Sequence, residues 1–137
     1  MSAVLLDTGP LVAYCSAQDA NHEWARTQIA ALRPPLVTCE AVLVEAFHLL
    51  GHHGDGADLI WQFMRRGIIR IAFDLESDFE SVATLMSRYG DQPMDLADAC
   101  LVRMSELSRD CRVLTTDGDF KFYRRFGRQI IPLLAPF

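Results

Sequence analysis

The sequence has little of what zinc sites and redox motifs need. None of its four cysteines falls in a C-x-x-C pair, so neither a structural zinc site nor a thioredoxin-like motif is indicated. Its four histidines form no HExxH pattern. The cysteines are Cys15, Cys39, Cys100 and Cys111. Such isolated residues are typical of reduced, mostly buried thiols.

Long apolar runs and an excess of positive charge are also missing. No run approaches the roughly 20 residues of a membrane span, and Asp7 interrupts the first apolar run within a few residues of the N-terminus. We therefore expect a soluble, cytoplasmic protein without a signal peptide. A net charge of −5 argues against a protein that coats nucleic acid non-specifically, although it leaves a nuclease open. The length of 137 residues predicts one domain, 1–137.

Lysine is nearly absent, because Lys121 is the one lysine among 13 basic residues. The arginines form two clusters, Arg65-Arg66-Arg70 and Arg124-Arg125-Arg128. Arginine presents a planar fork that suits phosphate, so these clusters could hold a nucleic-acid backbone. For Arg65 and Arg66, solvated charges at a helix end explain the pattern equally well.

Apolar patterns alternate between strand and helix spacing along the whole chain. Strands are predicted at 3–7, 35–39, 68–73, 111–117 and 129–134, and helices at 10–18, 22–33, 40–51, 57–67, 76–89, 96–108 and 118–127, with Pro10 in the first helical position. This alternation predicts an α/β fold: a three-layer α/β/α sandwich around a central, mostly parallel sheet. Asp-Thr-Gly at 7–9 also occurs in retroviral-type aspartic proteases, but those are all-β chains, so we interpret the triplet as a coincidence.

Two aspartates follow predicted strands at the sheet edge where α/β proteins bind ligands. Asp7 ends the first strand and Asp117 ends the strand at 111–117. Each could instead cap the helix that follows it. Glu45 lies at the border of the apolar face of a helix that is poor in charge, where burial of a carboxylate without a partner would be costly.

A pair of aspartates begins the helix at 96–108. Asp95 and Asp98 are three residues apart and share one face, so they could form a capping box. We favour capping for Asp95 and a functional role for Asp98. Several carboxylates in one pocket repel one another unless a divalent cation neutralises them, and oxygen ligands select Mg²⁺ or Mn²⁺. A site of this kind is typical of metal-dependent phosphodiester hydrolases.

Four segments, LLDTGPLVAY, VLVEAFHLL, PMDLADACLV and VLTTDGDF, carry a family resemblance. In their order and separation they resemble the acidic motifs of PIN-domain ribonucleases, in particular VapC-type toxins of toxin-antitoxin pairs. The resemblance implies that Asp7, Glu45, Asp98 and Asp117 are the catalytic, metal-binding acids. It also implies support from Thr8 and Thr115 through hydrogen bonds to carboxylates, from Asp119, and from Asp95 as a cap.

The same resemblance implies an activity and partners. It implies a Mg²⁺- or Mn²⁺-dependent endoribonuclease that hydrolyses RNA to a 5′-phosphate and a 3′-hydroxyl. It further implies a homodimer and a cognate VapB-like antitoxin whose segment fills a groove beside the acids. The alternatives are a housekeeping PIN nuclease, an inactive PIN-like module that binds RNA or protein, and a haloacid-dehalogenase-like phosphatase. The last requires an acid where this chain has Gly9.

Overall fold

A computed structural model describes residues 2–137 of the chain. Its strands are β1 (Ala3–Leu6), β2 (Leu36–Thr38), β3 (Ile69–Ile71), β4 (Cys111–Leu114), β5 (Arg124–Arg125), β6 (Gln129–Ile130) and β7 (Leu133–Leu134). Its helices are α1 (Thr8–Cys15), α2 (His22–Ala31), α3 (Glu40–Leu50), α4 (Asp55–Arg65), α5 (Leu75–Arg88) and α6 (Leu96–Leu107), with a short 3₁₀ helix at Gly118–Lys121. No helix among these residues is long and apolar enough to cross a membrane.

Five strands form a central sheet in the order β3-β2-β1-β4-β7, and every neighbouring pair is parallel. Strands β2 and β3 lie on one side of β1, and strands β4 and β7 lie on the other side. The strand order therefore reverses between β1 and β4, which is where ligands bind in open α/β sheets, outside the carboxyl ends of the strands. The predicted α/β/α fold with a parallel sheet is confirmed.

The core consists of the central strands and the helices that cover them. Leu5 and Leu6 of β1 and Val113 and Leu114 of β4 are almost fully buried, as expected for strands covered on both faces. In α6, the run Ala99–Val102 is buried as well. The apolar run of the first strand is thus what anchors Asp7, the next residue, at the edge of a rigid core.

The segment after Asp117 differs from the sequence-based expectation. The helix predicted at 118–127 is only the 3₁₀ helix, after which β5 and β6 form an antiparallel hairpin. Its turn uses positive φ angles at Phe126 (53°) and Gly127 (81°), which a helix cannot contain. The strand predicted at 129–134 is divided between this hairpin and the sheet edge.

Helix α1 begins at Thr8, so Pro10 is its third residue and not its first.

Candidate active site

A cavity of about 240 Å³ lies at the carboxyl ends of β1 and β4. Its lining comprises Asp7, Thr8, Gly9, Glu45, Leu49, Pro93, Asp95, Asp98, Thr116 and Asp117. Five of these residues are acidic, and none of the described residues that line the cavity is basic. The fold therefore brings all four predicted core acids to one place, at the position where the strand order reverses.

Asp7 lies at the floor of this cavity, directly after β1. Its Oδ1 accepts a hydrogen bond from the backbone N–H of Thr8 (2.7 Å), which caps α1, and its Oδ2 accepts one from the hydroxyl of Thr115 (2.7 Å). Burial raises the pKa of Asp7 to about 6. The two hydrogen bonds oppose this rise, whereas the charges of Asp117 and Glu45 add to it.

Thr115 connects the first and the last acidic motif. Its hydroxyl donates to Asp7 and accepts a hydrogen bond from the backbone N–H of Asp117 (2.9 Å), so one fully buried side chain joins the ends of β1 and β4. Asp117 in turn caps the 3₁₀ helix by accepting from the N–H of Asp119 (2.9 Å). Parallel pairing of Leu6 with Leu114 sets this arrangement, because it places the residues after both strands side by side.

Thr8 does not orient a carboxylate through its hydroxyl, contrary to the expectation from the resemblance. Its backbone N–H binds Asp7, and its Oγ1 is buried without a hydrogen-bond partner. The reason is that Thr8 is the first residue of α1, so that its N–H is the donor nearest to the capping carboxylate. An unpartnered buried hydroxyl in the wall of an acidic cavity is costly unless something that binds there satisfies it.

The Asp-Thr-Gly triplet ends in glycine because there is no space for a side chain at position 9. A Cβ atom at this position would collide with Oγ1 of Thr116 and lie 3.3 Å from its Cβ. The start of α1 and the segment after β4 can therefore approach closely only because residue 9 has no side chain. The glycine belongs to the wall of the cavity and has no relation to a protease motif.

Asp95 and Asp98 form the capping box of α6. Asp95 Oδ1 accepts from the N–H of Asp98 (2.8 Å), and Asp98 Oδ2 accepts from the N–H of Asp95 (3.3 Å). Asp95 is exposed, whereas Asp98 is only 7% exposed. Burial raises the pKa of Asp98 to about 8, with further upward contributions from the charges of Asp95, Asp7 and Asp117. Asp98 thus takes part in the cap and also faces the other acids.

Tyr123 also contacts the site, although no sequence pattern had singled it out. Its hydroxyl donates to Oδ2 of Asp98 (3.2 Å), and the side chain is buried. Burial, followed by the adjacent charge of Asp98, raises the pKa of Tyr123 far above its usual range. Tyr123 is 25 residues from Asp98 in a segment expected to be helical, so no local pattern could have identified it.

Glu45 and Asp119 differ from the other acids in their surroundings. Glu45 is half-buried on α3, lines the cavity and accepts no hydrogen bond from any described residue. Asp119 is not among the lining residues. Burial and the neighbouring charge of Asp117 raise its pKa.

The site fits a divalent cation in its chemistry but is not preassembled around one. Its donors are carboxylate and hydroxyl oxygens, which hard cations such as Mg²⁺ and Mn²⁺ prefer. Burial, and after it the charges of neighbouring acids, raises the pKa values of Asp7 and Asp98, and a bound cation would stabilise their ionised forms. Within residues 2–137, no group of three or more Asp, Glu, His or Cys side chains is arranged to hold an ion as it stands. Ligation therefore requires side-chain rotation, for which the half-buried Glu45 and Asp117 have room.

Comparison with known proteins bears on the family. The family model of the PIN domain matches residues 4–125, which include all four acidic motifs. Ribonuclease VapC26 of Mycobacterium tuberculosis is 27% identical over 116 residues, which cover 83% of this chain and 86% of that protein. The crystal structure of Mycobacterium tuberculosis VapC20, described as a sarcin-ricin loop cleaving toxin, covers 95% of this chain and 100% of its own with a TM-score of 0.76 and 21% identity.

These matches separate the alternatives. The aspartic protease is excluded by the parallel α/β sheet, and nothing in the comparisons supports a dehalogenase-like phosphatase. VapC20 shares the fold at an identity too low to carry more than the fold. The PIN-domain match extends over nearly the whole sequence, on the fold that the motifs predict. The chain belongs to the PIN-domain family.

Proposed function

We propose that this protein is a divalent-metal-dependent endoribonuclease and that residues 1–137 form one nuclease domain. The observation that carries the proposal is the cavity in which Asp7, Glu45, Asp98 and Asp117 meet without a basic partner among the lining residues. The similarity to Ribonuclease VapC26 supports RNA as the substrate. A cluster of this kind is stable in its ionised form only with a cation, and a cation held by carboxylates can bind a phosphate oxygen.

Asp7, Asp98, Asp117 and Glu45 are the residues that would hold Mg²⁺ or Mn²⁺. When bound, the cation supplies a Lewis acid for the phosphodiester and lowers the pKa of a coordinated water. Thr115 holds Asp7 in one orientation and also holds the backbone of Asp117, so the two sides of the cavity keep a fixed separation. Thr8 lines the cavity and its hydroxyl is buried without a partner, so we propose that a phosphate oxygen or a water satisfies this hydroxyl when substrate binds.

Two arginines of the second cluster, Arg124 and Arg125, make hydrogen bonds within the fold. Arg125 donates through Nη1 to the carbonyl oxygens of Ser105 (3.0 Å) and Arg109 (2.9 Å), and Arg124 donates to those of Lys121 (2.8 Å) and Tyr123 (3.1 Å). Arg65, Arg66, Arg70 and Arg128 are exposed. Arg65 and Arg66 end α4, where their charge complements the helix dipole.

We further propose that the nuclease is the toxin of a toxin-antitoxin pair and acts in the cytoplasm as a homodimer. A largely apolar groove of about 390 Å³ adjoins the acids and is lined by Ala41, Val44, Glu45, His48, Asp95, Leu96 and Ala97. Val44 and Leu96 are exposed there. An antitoxin segment that covers this groove would also block access to Glu45. A housekeeping PIN nuclease would need no such partner, and an inactive module would need no intact acids.

RNA cleavage under metal control tests the activity. Purified protein should cleave RNA with Mg²⁺ or Mn²⁺, stop in EDTA, and resume when excess metal is restored. Asp7→Asn should abolish cleavage, because an amide cannot supply the lost charge, and should still fold, because its oxygen can keep the bond from the N–H of Thr8 that caps α1. Cleavage that persists in EDTA and in Asp7→Asn would contradict the proposal. Growth arrest on expression, relieved by the product of a neighbouring gene, tests the toxin role, and analytical ultracentrifugation tests the dimer.

A further inference from the structure

Tyr123 is held in one orientation by neighbouring aromatic rings. Its ring meets that of Phe120 edge-on at a centroid distance of 5.2 Å and that of Tyr89 at 5.3 Å. All but 1% of its surface is buried. The packing of the ring in the core thus holds the Tyr123 hydroxyl oxygen in one position, from which it reaches Asp98.

The Tyr123 hydroxyl contacts only one of the two oxygens of Asp98. Oδ2 accepts from Tyr123 (3.2 Å) and from the backbone N–H of Asp95 (3.3 Å). Oδ1 accepts no hydrogen bond from any residue in the described part of the chain, although Asp98 lines the acidic cavity. One carboxylate oxygen is thus fully engaged by the protein, and the other is left for a ligand.

We propose that Tyr123 is a positioning residue of the nuclease site. It holds Oδ2 of Asp98 against the core so that Oδ1 is presented to the divalent cation. The inference rests on the proposed function. The competing explanation is that Tyr123 only fills the space between Phe120 and Tyr89, in which case its hydroxyl is dispensable.

Two matched variants separate these explanations. Tyr123→Phe removes the hydroxyl and keeps the ring. Tyr89→Phe removes a hydroxyl from the same aromatic cluster, but the partner of that hydroxyl is the backbone N–H of Arg124 (2.9 Å) and not an acid. The readout is the dissociation constant of Mn²⁺ without RNA, measured by electron paramagnetic resonance of free Mn²⁺, beside the melting temperature in EDTA.

Tyr123→Phe should weaken Mn²⁺ binding roughly 10- to 100-fold, as loss of an outer-shell partner of a metal ligand does. Its melting temperature in EDTA should stay close to that of Tyr89→Phe, which should bind Mn²⁺ as the wild type does. In an Asp98→Asn background, Tyr123→Phe should cause no further loss. Saturating Mn²⁺ should restore most of the cleavage rate of Tyr123→Phe, with KM for RNA unchanged.

Three results would overturn the inference. In the first, the wild type binds Mn²⁺ and cleaves RNA while Tyr123→Phe does both equally well, which leaves the proposed function intact. In the second, Tyr123→Phe is unfolded at room temperature, because the hydroxyl would then serve the fold. In the third, the wild type itself neither binds Mn²⁺ nor cleaves RNA, which rejects the proposed function and the role of Tyr123 with it.

Discussion

Asp95 and Asp98 form one capping box, but we expect Asp98 to be needed for cleavage and Asp95 to be needed mainly for the stability of the helix cap. Asp98→Asn should abolish cleavage, because the amide lacks the charge that a cation needs, and should keep or raise the melting temperature in EDTA, because it relieves repulsion among clustered acids. Asp95→Asn should keep the fold and most activity, since asparagine caps about as well as aspartate. Asp95→Ala should cost about 0.5 to 2 kcal/mol of stability.

Melting temperatures and single-turnover RNA cleavage of the three variants check this division. Asp95→Asn serves as the control, because it changes charge at the same helix terminus without removing the cap. An active Asp98→Asn beside an inactive, stable Asp95→Asn would show that the roles are reversed.

The buried Thr8 hydroxyl provides a second prediction at the scale of a residue. Thr8→Val keeps the shape of the side chain and removes a polar atom that has no partner, so the stability of the metal-free protein should be unchanged or higher. If the hydroxyl serves the bound substrate, cleavage should fall by up to about tenfold, the worth of a typical hydrogen bond. Thr8→Ser is the control and should retain cleavage.

Chemical denaturation and cleavage rates of the two Thr8 variants test whether the hydroxyl serves the bound substrate or the stability of the fold. Full activity in Thr8→Val would show that the Thr8 hydroxyl does not contribute to cleavage. A loss of more than about 1 kcal/mol of stability would mean that the hydroxyl has a partner in the fold after all.

Most site residues that the sequence could identify follow strands or begin helices, whereas Glu45, within α3, was identified by its position at the border of an apolar helix face. Asp7 and Asp117 could be placed because parallel strands expose their carboxyl ends at a common edge, and Asp95 and Asp98 because a spacing of three residues defines a capping box. Tyr123 could not be placed, because it reaches Asp98 through a tertiary contact. For the same reason the sequence could not reveal that the Thr8 hydroxyl is left unpartnered.

Helix α1 and the segment after β4 meet at Gly9, and this contact between elements is open to test. Gly9→Ala should gain up to about 1 kcal/mol in helix propensity but lose about 1 to 3 kcal/mol through the collision with Thr116, for a net loss of stability. Thr116→Ala added to Gly9→Ala should recover most of that loss. Urea denaturation of the two single variants and the double variant measures the coupling.

A Gly9→Ala protein that is more stable than the wild type would contradict the close approach. Additive effects in the double variant would contradict it as well, because they would show that residues 9 and 116 do not touch.

The elements themselves were predictable where local pattern and burial agree. The central strand β1 is a short apolar run, β4 is apolar except for Arg112, and all six α-helices fall where helix-period apolar residues were expected. The hairpin β5–β6 was missed because its aromatic and basic residues have no strand alternation, and its turn relies on a positive φ at Phe126, which is uncommon outside glycine. Pro132, between β6 and β7, interrupts what otherwise reads as one strand.

The stability of the whole molecule should depend on pH because of the acid cluster. The folded-state pKa values of Asp7 (about 6) and Asp98 (about 8) lie above the ordinary value of 3.8, so the folded metal-free protein binds more protons than the unfolded chain between about pH 4 and 8. Stability from these groups is therefore lost as pH rises through 6 and 8. The melting temperature in EDTA should fall from about pH 4 to about pH 8, and Asp98→Asn should flatten the fall between about pH 6 and 8.

Addition of Mn²⁺ should reverse this trend. Metal ligands must be deprotonated, so the rise in melting temperature caused by Mn²⁺ should be larger at pH 8 than at pH 6. A metal-free melting temperature that rises over this range, or an Asp98→Asn variant with an unchanged slope, would show that Asp98 does not carry the raised pKa.

The position of β1 at the centre of the sheet also bears on when activity can arise during synthesis. The hydrogen bond between Thr115 and Asp7 spans 108 residues, so the first acid is made long before the strand and the threonine that complete its surroundings. At about 5 to 20 residues per second, the ribosome needs roughly 5 to 20 s to travel from one to the other. A nascent chain that stops before β4 carries three of the acids but lacks the strand that brings Thr115 and Asp117 beside them. A cell that makes this protein is therefore not exposed to an assembled site until β4 and Asp117 have been synthesised.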